Sequence, residues 1–358
     1  MTILIVWDRM GDYHRSRVEA YRSLYRRDIL YTADIGAGDQ LYHWDNTAHS
    51  QHVVLSQKKA DDSDVWQRFK RFKQLVNDQK MDKVVLSGYG RREYLLFSIW
   101  LKLKGIDCYM FAESWYAGNA VIDRVKGWYL NAFVKGIFVS GIRAKAHFHE
   151  RLAYPEKQLQ IGYSVVDNAH FKFERSEDHV ARALGHKPML LCVARYAEEK
   201  NLEVLIKAFE ASKLSDTWGL TLVGGGPLES ALKRTIRKPE QVQLLSWQAY
   251  EALPSLYQNA SCFVLPSRFE PWGLVVNEAM AASLPIIISD ACGCAPDLLD
   301  ANGYVFKADE QQDLVEVLND LSTKTASDLY SMGLKSFSCI SNFSPHSWSE
   351  SLNKLIQD

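Results

Sequence analysis

Short apolar runs alternate with amphipathic segments along the whole chain of 358 residues. Strand–helix alternation of this kind is typical of parallel sheets covered by helices on both faces. The predicted strands are 3–7, 53–56, 83–87, 108–112 and 136–140, then 189–193, 220–223, 242–245, 262–265, 285–289 and 303–306. The predicted helices are 15–25, 64–76, 92–103 and 144–152, then 202–212, 228–237, 250–258, 274–282, 310–321, 326–336 and 344–356.

The two series of alternating elements predict two doubly wound, Rossmann-like domains, which also suits the chain length. We place the break near 162–173, before the charged segment 174–187. The expected domains are therefore 1–162 and 163–340. We expect residues 341–358 to form a C-terminal helix that packs back toward the first domain, with Ser344 as its N-cap and Pro345 in its first turn.

Composition excludes several classes of function. The 42 Lys and Arg residues balance the 43 Asp and Glu residues, so no basic excess points to nucleic acid as a partner. The six cysteines are scattered, and the close pair Cys292 and Cys294 lacks a second pair at zinc spacing, so we expect neither a disulfide framework nor a metal. No signal peptide and no membrane-spanning run is visible, which favours a cytoplasmic location.

The block 266–282 carries the strongest chemical signal. It begins just after a predicted strand, passes through a Pro- and Gly-containing turn, and enters a helix. A helix that opens at Gly273 presents backbone N–H groups and a positive dipole end, which together favour an anion. Glu270 lies in the loop before this helix and Glu278 lies about one and a half turns inside it. The two carboxylates would therefore meet different ends of a ligand.

Three further junctions follow predicted strands in the second half. Arg195 and Lys200 bracket the loop after strand 189–193, where two cations could grip a diphosphate. The glycines at 224–226 follow strand 220–223. The segment 289–297 follows strand 285–289. The glycine run leaves two readings open, a ligand-binding loop or a simple tight turn. All these junctions lie at carboxyl ends of strands, where doubly wound sheets bind ligands.

This arrangement resembles a known family. Arg195 with Lys200, then the glycines at 224–226, then Glu270 and Glu278 eight residues apart, is similar to the retaining family-4 glycosyltransferases (glycosyl transferases group 1) of the GT-B fold. The resemblance covers the whole second half and extends to 139–141 and 162–167, which are similar to the family's domain crossover. It implies two Rossmann-like domains that face each other across a cleft, the first binding the acceptor and the second a nucleotide-sugar.

The resemblance also implies roles. Arg195 and Lys200 would neutralise the departing diphosphate in place of a metal ion, so no metal and no cofactor is expected. Glu278 would bind the ribose hydroxyls, and Glu270 would contact the donor sugar. The remaining donor-binding residues would be Gly11, Gly224, Gly225, Trp272, Gly273, Leu274 and Val275.

The first half resembles the family only in outline. Gly11 stands where members of the family commonly have a pair of glycines. Many members also have a histidine where the mid-domain strand ends, but residues 111–115 of this chain contain Glu113 there and no histidine. Either Glu113 or His14 would orient or deprotonate the acceptor, and the sequence leaves both readings open.

The basic and aromatic stretches 65–73 and 124–138 each have two readings. One is an amphipathic helix on an anionic membrane, and the other is a helix packed on a sheet; for the first stretch we favour packing, with Val65, Phe69, Phe72 and Val76 inward. The expected function is transfer of a sugar from a UDP- or GDP-sugar to a glycan or lipid-linked glycan in surface polysaccharide synthesis, with peripheral contact at the inner membrane surface left open. The alternatives are another GT-B enzyme, epimerase- or phosphorylase-like, or an inactive GT-B scaffold.

Overall fold

The computed structural model describes residues 1–37 and 51–357, which divide into two compact units. Unit 1 contains Met1–Val165 and the C-terminal residues from Pro345 onward, and unit 2 contains Val166–Ser344. The sequence placed these boundaries slightly earlier, at 162 and 340. The roles assigned to the two domains stay predictions at this point.

In the described part of unit 1, seven parallel strands form one sheet with the order β3-β2-β1-β4-β5-β6-β7. The side chains of β1, β4, β5 and β6 are buried nearly throughout, as expected for strands covered on both faces, whereas those of the edge strand β3 are half-buried. The strands are β1 Thr2–Trp7, β2 Ile29–Asp34, β3 His52–Val54, β4 Lys83–Leu86, β5 Asp107–Ala112, β6 Gly136–Val139 and β7 Leu159–Ile161.

Helices connect these strands. They are α1 Asp12–Leu24, α2 Val65–Asp78, α3 Arg92–Lys104, α4 Ala120–Phe133 and α5 Ile142–Ala146, and α5 continues into a π-helical turn at His147–Arg151. Helix α2 buries Phe72 and Val76 in the core, with Phe69 packed against it. The structure therefore confirms the packed reading of stretch 65–73.

Unit 2, all of whose residues are described, forms a second parallel sheet with the order β10-β9-β8-β11-β12-β13. Its strands are β8 Met189–Val193, β9 Gly219–Val223, β10 Val242–Leu245, β11 Cys262–Leu265, β12 Ile286–Ser289 and β13 Gly303–Phe306. Its helices are α6 Asn168–Phe171, α7 Glu177–Gly185, α8 Leu202–Ala211, α9 Glu229–Thr235, α10 Leu253–Asn259, α11 Leu274–Ala281, α12 Ala295–Leu298, α13 Gln311–Leu321 and α14 Ala326–Ile340. The predicted class, two Rossmann-like parallel-sheet units, is confirmed.

The last helix, α15 Pro345–Gln357, belongs to unit 1 although the chain reaches it from unit 2. Its Trp348 is fully buried, with ring centroids 5.9 Å from Phe111 and 5.8 Å from Phe138. The Tyr21 hydroxyl on α1 donates to Asn353 Oδ1 at 3.3 Å. Aromatic packing on the sheet thus holds the C-terminal helix in place.

Two strands were missed by sequence reasoning, β2 and β7. Strand β2 carries polar side chains that look solvent-exposed in the sequence, yet Asp34 is fully buried and its carboxylate lies 3.4 Å from His52 Nε2 on β3. That pairing depends on the register of two strands, which composition does not reveal. Strand β7 is only three residues long and lies just before the segment 162–173 that we assigned to the domain break.

Two helical glycines in unit 2 give opposite predictions for an added methyl group. At Gly333 on α14, a Cβ would lie 2.3 Å from the Ser283 carbonyl oxygen, whereas at Gly185 on α7 nothing lies within 4 Å. Gly333→Ala should lower the free energy of unfolding by about 1–3 kcal/mol through overpacking, although alanine is the better helix former. Gly185→Ala should raise it by up to about 1 kcal/mol. Urea unfolding of both variants checks this, and equal effects would contradict it.

Candidate functional site

The predicted residues of unit 2 gather at one edge of its sheet. The strand order reverses between β8 and β11, which makes this pair the topological switch point where doubly wound sheets bind ligands. Arg195 and Lys200 follow β8, and Glu270 follows β11. The sheet topology therefore brings two loops together that are far apart in the sequence.

Lys200 and Glu270 form a direct ion pair at this switch point. Lys200 Nζ lies 2.5 Å from Glu270 Oε2, and the side chains are only 14% and 11% exposed. The Ser267 hydroxyl donates to the same carboxylate oxygen at 3.2 Å. Charges this well shielded interact more strongly than surface ion pairs, so the pair fixes both side chains in place. The contact between them is a residue pairing that the sequence did not predict.

The loop after β12 donates backbone hydrogen bonds to the segment that contains Glu270. The Gly293 N–H donates to the Glu270 carbonyl at 2.9 Å, and the Cys294 N–H donates to the Trp272 carbonyl at 3.3 Å. Burial raises the pKa of the Cys292 thiol to about 12, so this thiol stays protonated. The six cysteines are all free. The Cys-Gly-Cys segment therefore acts here as a structural brace for the loop before α11.

Helix α11 opens at a residue that must be glycine. Gly273 has a φ of +104°, and a Cβ there would lie 3.0 Å from Leu265 Cδ2. The N–H groups of Leu274 and Val275 lie in the first turn, where a helix leaves amides without intrahelical partners. Trp272 is 2% exposed and its indole N–H donates to Asn277 Oδ1 at 2.9 Å. The tryptophan side chain thus anchors the turn, and the backbone N–H groups of the first helical turn are groups that favour an anion.

Glu278 lies inside α11 and is fully buried. The Tyr257 hydroxyl on α10 donates to Glu278 Oε2 at 2.6 Å. Arg175 in turn binds the carboxyl ends of both helices. Its Nη2 donates to the Tyr257 carbonyl of α10 at 2.6 Å, and its Nε donates to the carbonyl of Ala282, just after α11, at 2.9 Å. Burial lowers the pKa of Arg175 to about 10. Sequence reasoning missed Tyr257 and Arg175, because neither lies in a motif with Glu278.

The glycines after β9 have a packing role. Gly224 has a φ of +154°, and a Cβ there would lie 2.0 Å from the Ala194 carbonyl oxygen. The Tyr196 N–H donates to the Gly225 carbonyl at 2.9 Å, while the Tyr196 hydroxyl bonds the carbonyls of Leu222 and Leu245. The tight-turn reading thus has a physical cause, the close approach of the loops after β8 and β9. A ligand role for Gly224 and Gly225 stays a prediction.

The Arg195 side chain is far more exposed to solvent than that of Lys200. Its side chain is 56% exposed and pairs with Glu199, with Nη2 2.7 Å from Oε1. The Glu199 carbonyl accepts the Arg268 N–H at 2.8 Å, which links the loops after β8 and β11. Exposed pairs of this kind are weak, so the guanidinium can leave Glu199 for a stronger anion at little cost.

In unit 1, the loop after β1 holds His14 in one tautomer. The Gly11 N–H donates to His14 Nδ1 at 3.0 Å, and the Trp7 ring lies 4.8 Å from the imidazole. Burial, and then the Arg17 charge, lowers the pKa of His14 well below 6.5. The ring is therefore neutral, with its proton on Nε2, where it can donate a hydrogen bond but cannot accept a proton.

Glu113 follows β5 at the same carboxyl edge of the unit 1 sheet. The Ser164 hydroxyl donates to Glu113 Oε1 at 2.6 Å, so a residue just after β7 orients the carboxylate. Among the described residues, no group of three or more His, Cys, Asp or Glu side chains could hold a metal ion.

Comparison with known proteins finds a family model that matches most of the second unit. Residues 174–332 match the family model of glycosyl transferases group 1. The chain is 27% identical over 190 residues to the alpha-D-kanosaminyltransferase of Streptomyces kanamyceticus, covering 50% of this chain and 49% of that protein. It is 30% identical over 173 residues to the sulfoquinovosyl transferase of Arabidopsis thaliana, covering 46% and 33%. The matches thus span about half or less of these relatives.

Solved structures match over the full length. The crystal structure of Anabaena HepE in complex with UDP has a TM-score of 0.79 at 16% identity and covers 100% of both chains. Sucrose-phosphate synthase from Thermosynechococcus elongatus gives 0.75 at 15% identity, covering 100% of this chain and 98% of that one. At these identities the likeness shows the GT-B fold alone.

The His14 geometry predicts a pH dependence of stability. The unfolded chain protonates His14 near pH 6.5, while the folded chain keeps it neutral, so stability falls as the pH drops below 6.5. His14→Gln keeps an acceptor for the Gly11 N–H and removes the titration. When the pH is lowered from 7.5 to 5.5, the free energy of unfolding should fall by about 1 kcal/mol less in this variant than in the parent. Urea unfolding at both pH values measures it, with the exposed His346→Gln as control, and equal losses would contradict the assignment.

Proposed function

We propose that the chain transfers a sugar from a UDP- or GDP-sugar to a glycan or lipid-linked acceptor in surface polysaccharide synthesis. The match of residues 174–332 to the model of glycosyl transferases group 1 supports this. Transfer keeps the anomeric configuration of the donor and requires no metal ion. The donor is held by unit 2, at the switch point of its sheet.

The observation that carries this proposal is the Lys200–Glu270 pair beside the first turn of α11. A shielded cation and a row of backbone amides lie next to each other, which suits a diphosphate. The exposed Arg195 guanidinium can add a second cation from the same loop as Lys200. Together these groups supply the positive charge for which other transferases use a metal.

Similar proteins support a nucleotide-sugar donor without fixing the base. HepE was solved with UDP-glucose, and several relatives that are 28% identical over about 40% of this chain are described as GDP-mannose-dependent mannosyltransferases. Glu278 is assigned to the ribose, which UDP- and GDP-sugars share. The Tyr257 hydroxyl donates to one of its carboxylate oxygens and so orients the side chain.

The chemistry needs stabilisation of the leaving diphosphate. Lys200 and Arg195 neutralise the charge that develops as the glycosidic bond breaks, and Glu270 orients Lys200 while its carboxylate contacts a ring hydroxyl of the sugar. The acceptor attacks the face from which the diphosphate leaves, and a phosphate oxygen takes its proton. This order of events gives retention.

On the acceptor side, Glu113 is the better candidate for orienting a hydroxyl group. Its carboxylate can accept a hydrogen bond from the acceptor, whereas His14 presents only an Nε2–H donor. We assign His14 the role of donating this hydrogen bond to an oxygen of the donor phosphate or sugar.

Removing the Glu278 charge should weaken nucleotide binding. Glu278→Gln keeps the side-chain volume and an acceptor for Tyr257, but loses a charged hydrogen bond to the ribose, which contributes about 1.5–3 kcal/mol. Isothermal titration with UDP and GDP should show at least about tenfold weaker binding of the preferred nucleotide. Glu93→Gln in unit 1, where a buried carboxylate pairs with Arg68 at 2.6 Å, is the matched control and should leave affinity unchanged. Equal affinities of Glu278→Gln and the parent would remove the ribose role.

Lys200 should matter more for turnover than for binding. Lys200→Met keeps the aliphatic stem and removes the charge that acts on the developing diphosphate, so kcat for UDP release from UDP-glucose should fall about a hundredfold. The KM should change much less. Lys207→Met is the control, because this exposed lysine pairs with Glu203 on its own helix. A raised KM with normal kcat would show that Lys200 serves ground-state binding instead.

A further inference from the structure

One face of helix α4 leaves large apolar side chains in solvent. Val121, Val125 and Trp128 follow the i, i+4, i+7 spacing of one helical stripe and are 69%, 61% and 68% exposed. Ile122 beside them is 55% exposed. The opposite face buries Asp123, Gly127, Tyr129 and Leu130. The helix is therefore anchored through its other side. Within the described residues the stripe stays largely exposed, and Trp128 meets the Phe133 ring edge-on at 6.2 Å.

Positive charge flanks this apolar stripe. The acidic residue of the helix, Asp123, is already neutralised by Arg151, whose Nε lies 2.5 Å away, and by Lys126 at 3.7 Å. Arg124 is exposed beside the stripe and forms no ion pair within the described residues. Between residues 117 and 157 there are seven Lys and Arg residues and three acidic ones, although the whole chain has a net charge of −1. The local charge thus favours an anionic partner.

A shallow cavity of about 800 Å³ opens beside the stripe. Arg124, Trp128 and Asn131 line it from α4, and Glu150 and Arg151 line it from the following π-helical turn. The walls offer an aromatic ring and cationic groups next to each other. This combination suits a phosphate-bearing headgroup at the boundary between water and acyl chains.

We propose that this face, called here the α4 face (Val121, Ile122, Val125 and Trp128 with Arg124), docks on an anionic lipid bilayer. The apolar side chains enter the boundary of the acyl chains, and Arg124 pairs with lipid phosphates. Among residues 1–37 and 51–357 no helix has the length and apolarity to cross a bilayer, so this contact is a surface one.

Docking through α4 would serve the acceptor side of the reaction, and this part of the inference rests on the proposed function. Helix α4 follows β5 after residues 113–119, so its amino end lies at the carboxyl edge of the unit 1 sheet. Glu113 lies at the same edge. A bilayer under the α4 face would therefore present a lipid-linked acceptor near Glu113.

Helix α2 provides the matched control within the same unit. It is also basic and aromatic, but its described residues expose only one large apolar side chain, Trp66 at 74%. Its Phe69, Phe72, Leu75 and Val76 pack in or against the core. Loss of the Trp66 side chain removes a comparable exposed ring from a surface that lacks the apolar stripe.

The test is flotation of the full chain with vesicles rich in phosphatidylglycerol and with vesicles of pure phosphatidylcholine. The parent and Trp66→Ser should float with the anionic vesicles, and the parent should bind the neutral ones and the anionic ones at high salt more weakly. The double variant Val125→Ser, Trp128→Ser should bind the anionic vesicles at least about tenfold less. Thermal unfolding and UDP affinity of each variant, measured without lipid, show whether the chain is folded and whether the donor site works.

The outcomes separate the two proposals. Equal flotation of the parent and the double variant, or no flotation of the parent, overturns the docking proposal whatever the UDP affinity. Flotation that is lost with the double variant supports it even if neither UDP nor GDP binds, in which case only the proposed function falls. A concentration-dependent dimer that the double variant abolishes would assign the α4 face to a second copy of the chain and overturn membrane docking.

Discussion

The candidate site of unit 2 depends on one shielded ion pair, Lys200 with Glu270. Both side chains are only 14% and 11% exposed, and removing a charged group from water lowers stability unless an opposite charge neutralises it. Replacing either side chain would therefore leave its partner as a shielded charge without a counter-ion. The pair also joins the loops after β8 and β11, which meet only because the strand order reverses between them. Topology and electrostatics thus specify the same place in the fold.

Around this pair, the backbone is shaped by residues without reactive side chains. Gly273 starts α11 in a conformation that other residues adopt only with strain. Gly224 lets the loops after β8 and β9 approach so closely that a Cβ at this position would clash with the Ala194 carbonyl oxygen. The loop after β12 then bonds to the backbone of Glu270 and Trp272. Preorganised amides and charges of this kind stabilise a developing anion without having to rearrange during the reaction.

The sequence indicated candidates for the donor side because their signals are local. Glu270 and Glu278 lie in one strand–turn–helix block, and Arg195 and Lys200 lie in another, so these blocks carried the family resemblance that implies their roles. Tyr257 was missed, because it meets Glu278 through the packing of α10 against α11 and not through a motif. The tautomer of His14 likewise depends on one backbone N–H that a sequence cannot show.

Helix α4 shows a different limit. It has apolar residues on two faces, and periodicity cannot tell which face packs on the sheet; the structure buries Tyr129 and Leu130 and exposes Val125 and Trp128. Strand β2 was missed for the opposite reason, because its buried Asp34 looks like a surface residue until its partner His52 is in place. In both cases the missing information is which neighbour a side chain meets in three dimensions.

The central claim is that unit 2 binds a nucleoside diphosphate through protein cations and helix amides instead of a metal ion. A thermal-shift comparison of UDP, GDP, ADP and TDP, each with and without EDTA, tests it most directly. The account predicts that UDP or GDP stabilises the chain, by about 2.7 kcal/mol at a hundredfold excess over its dissociation constant, and that EDTA changes nothing. Stabilisation that EDTA abolishes, or no stabilisation by any of the four, would contradict it.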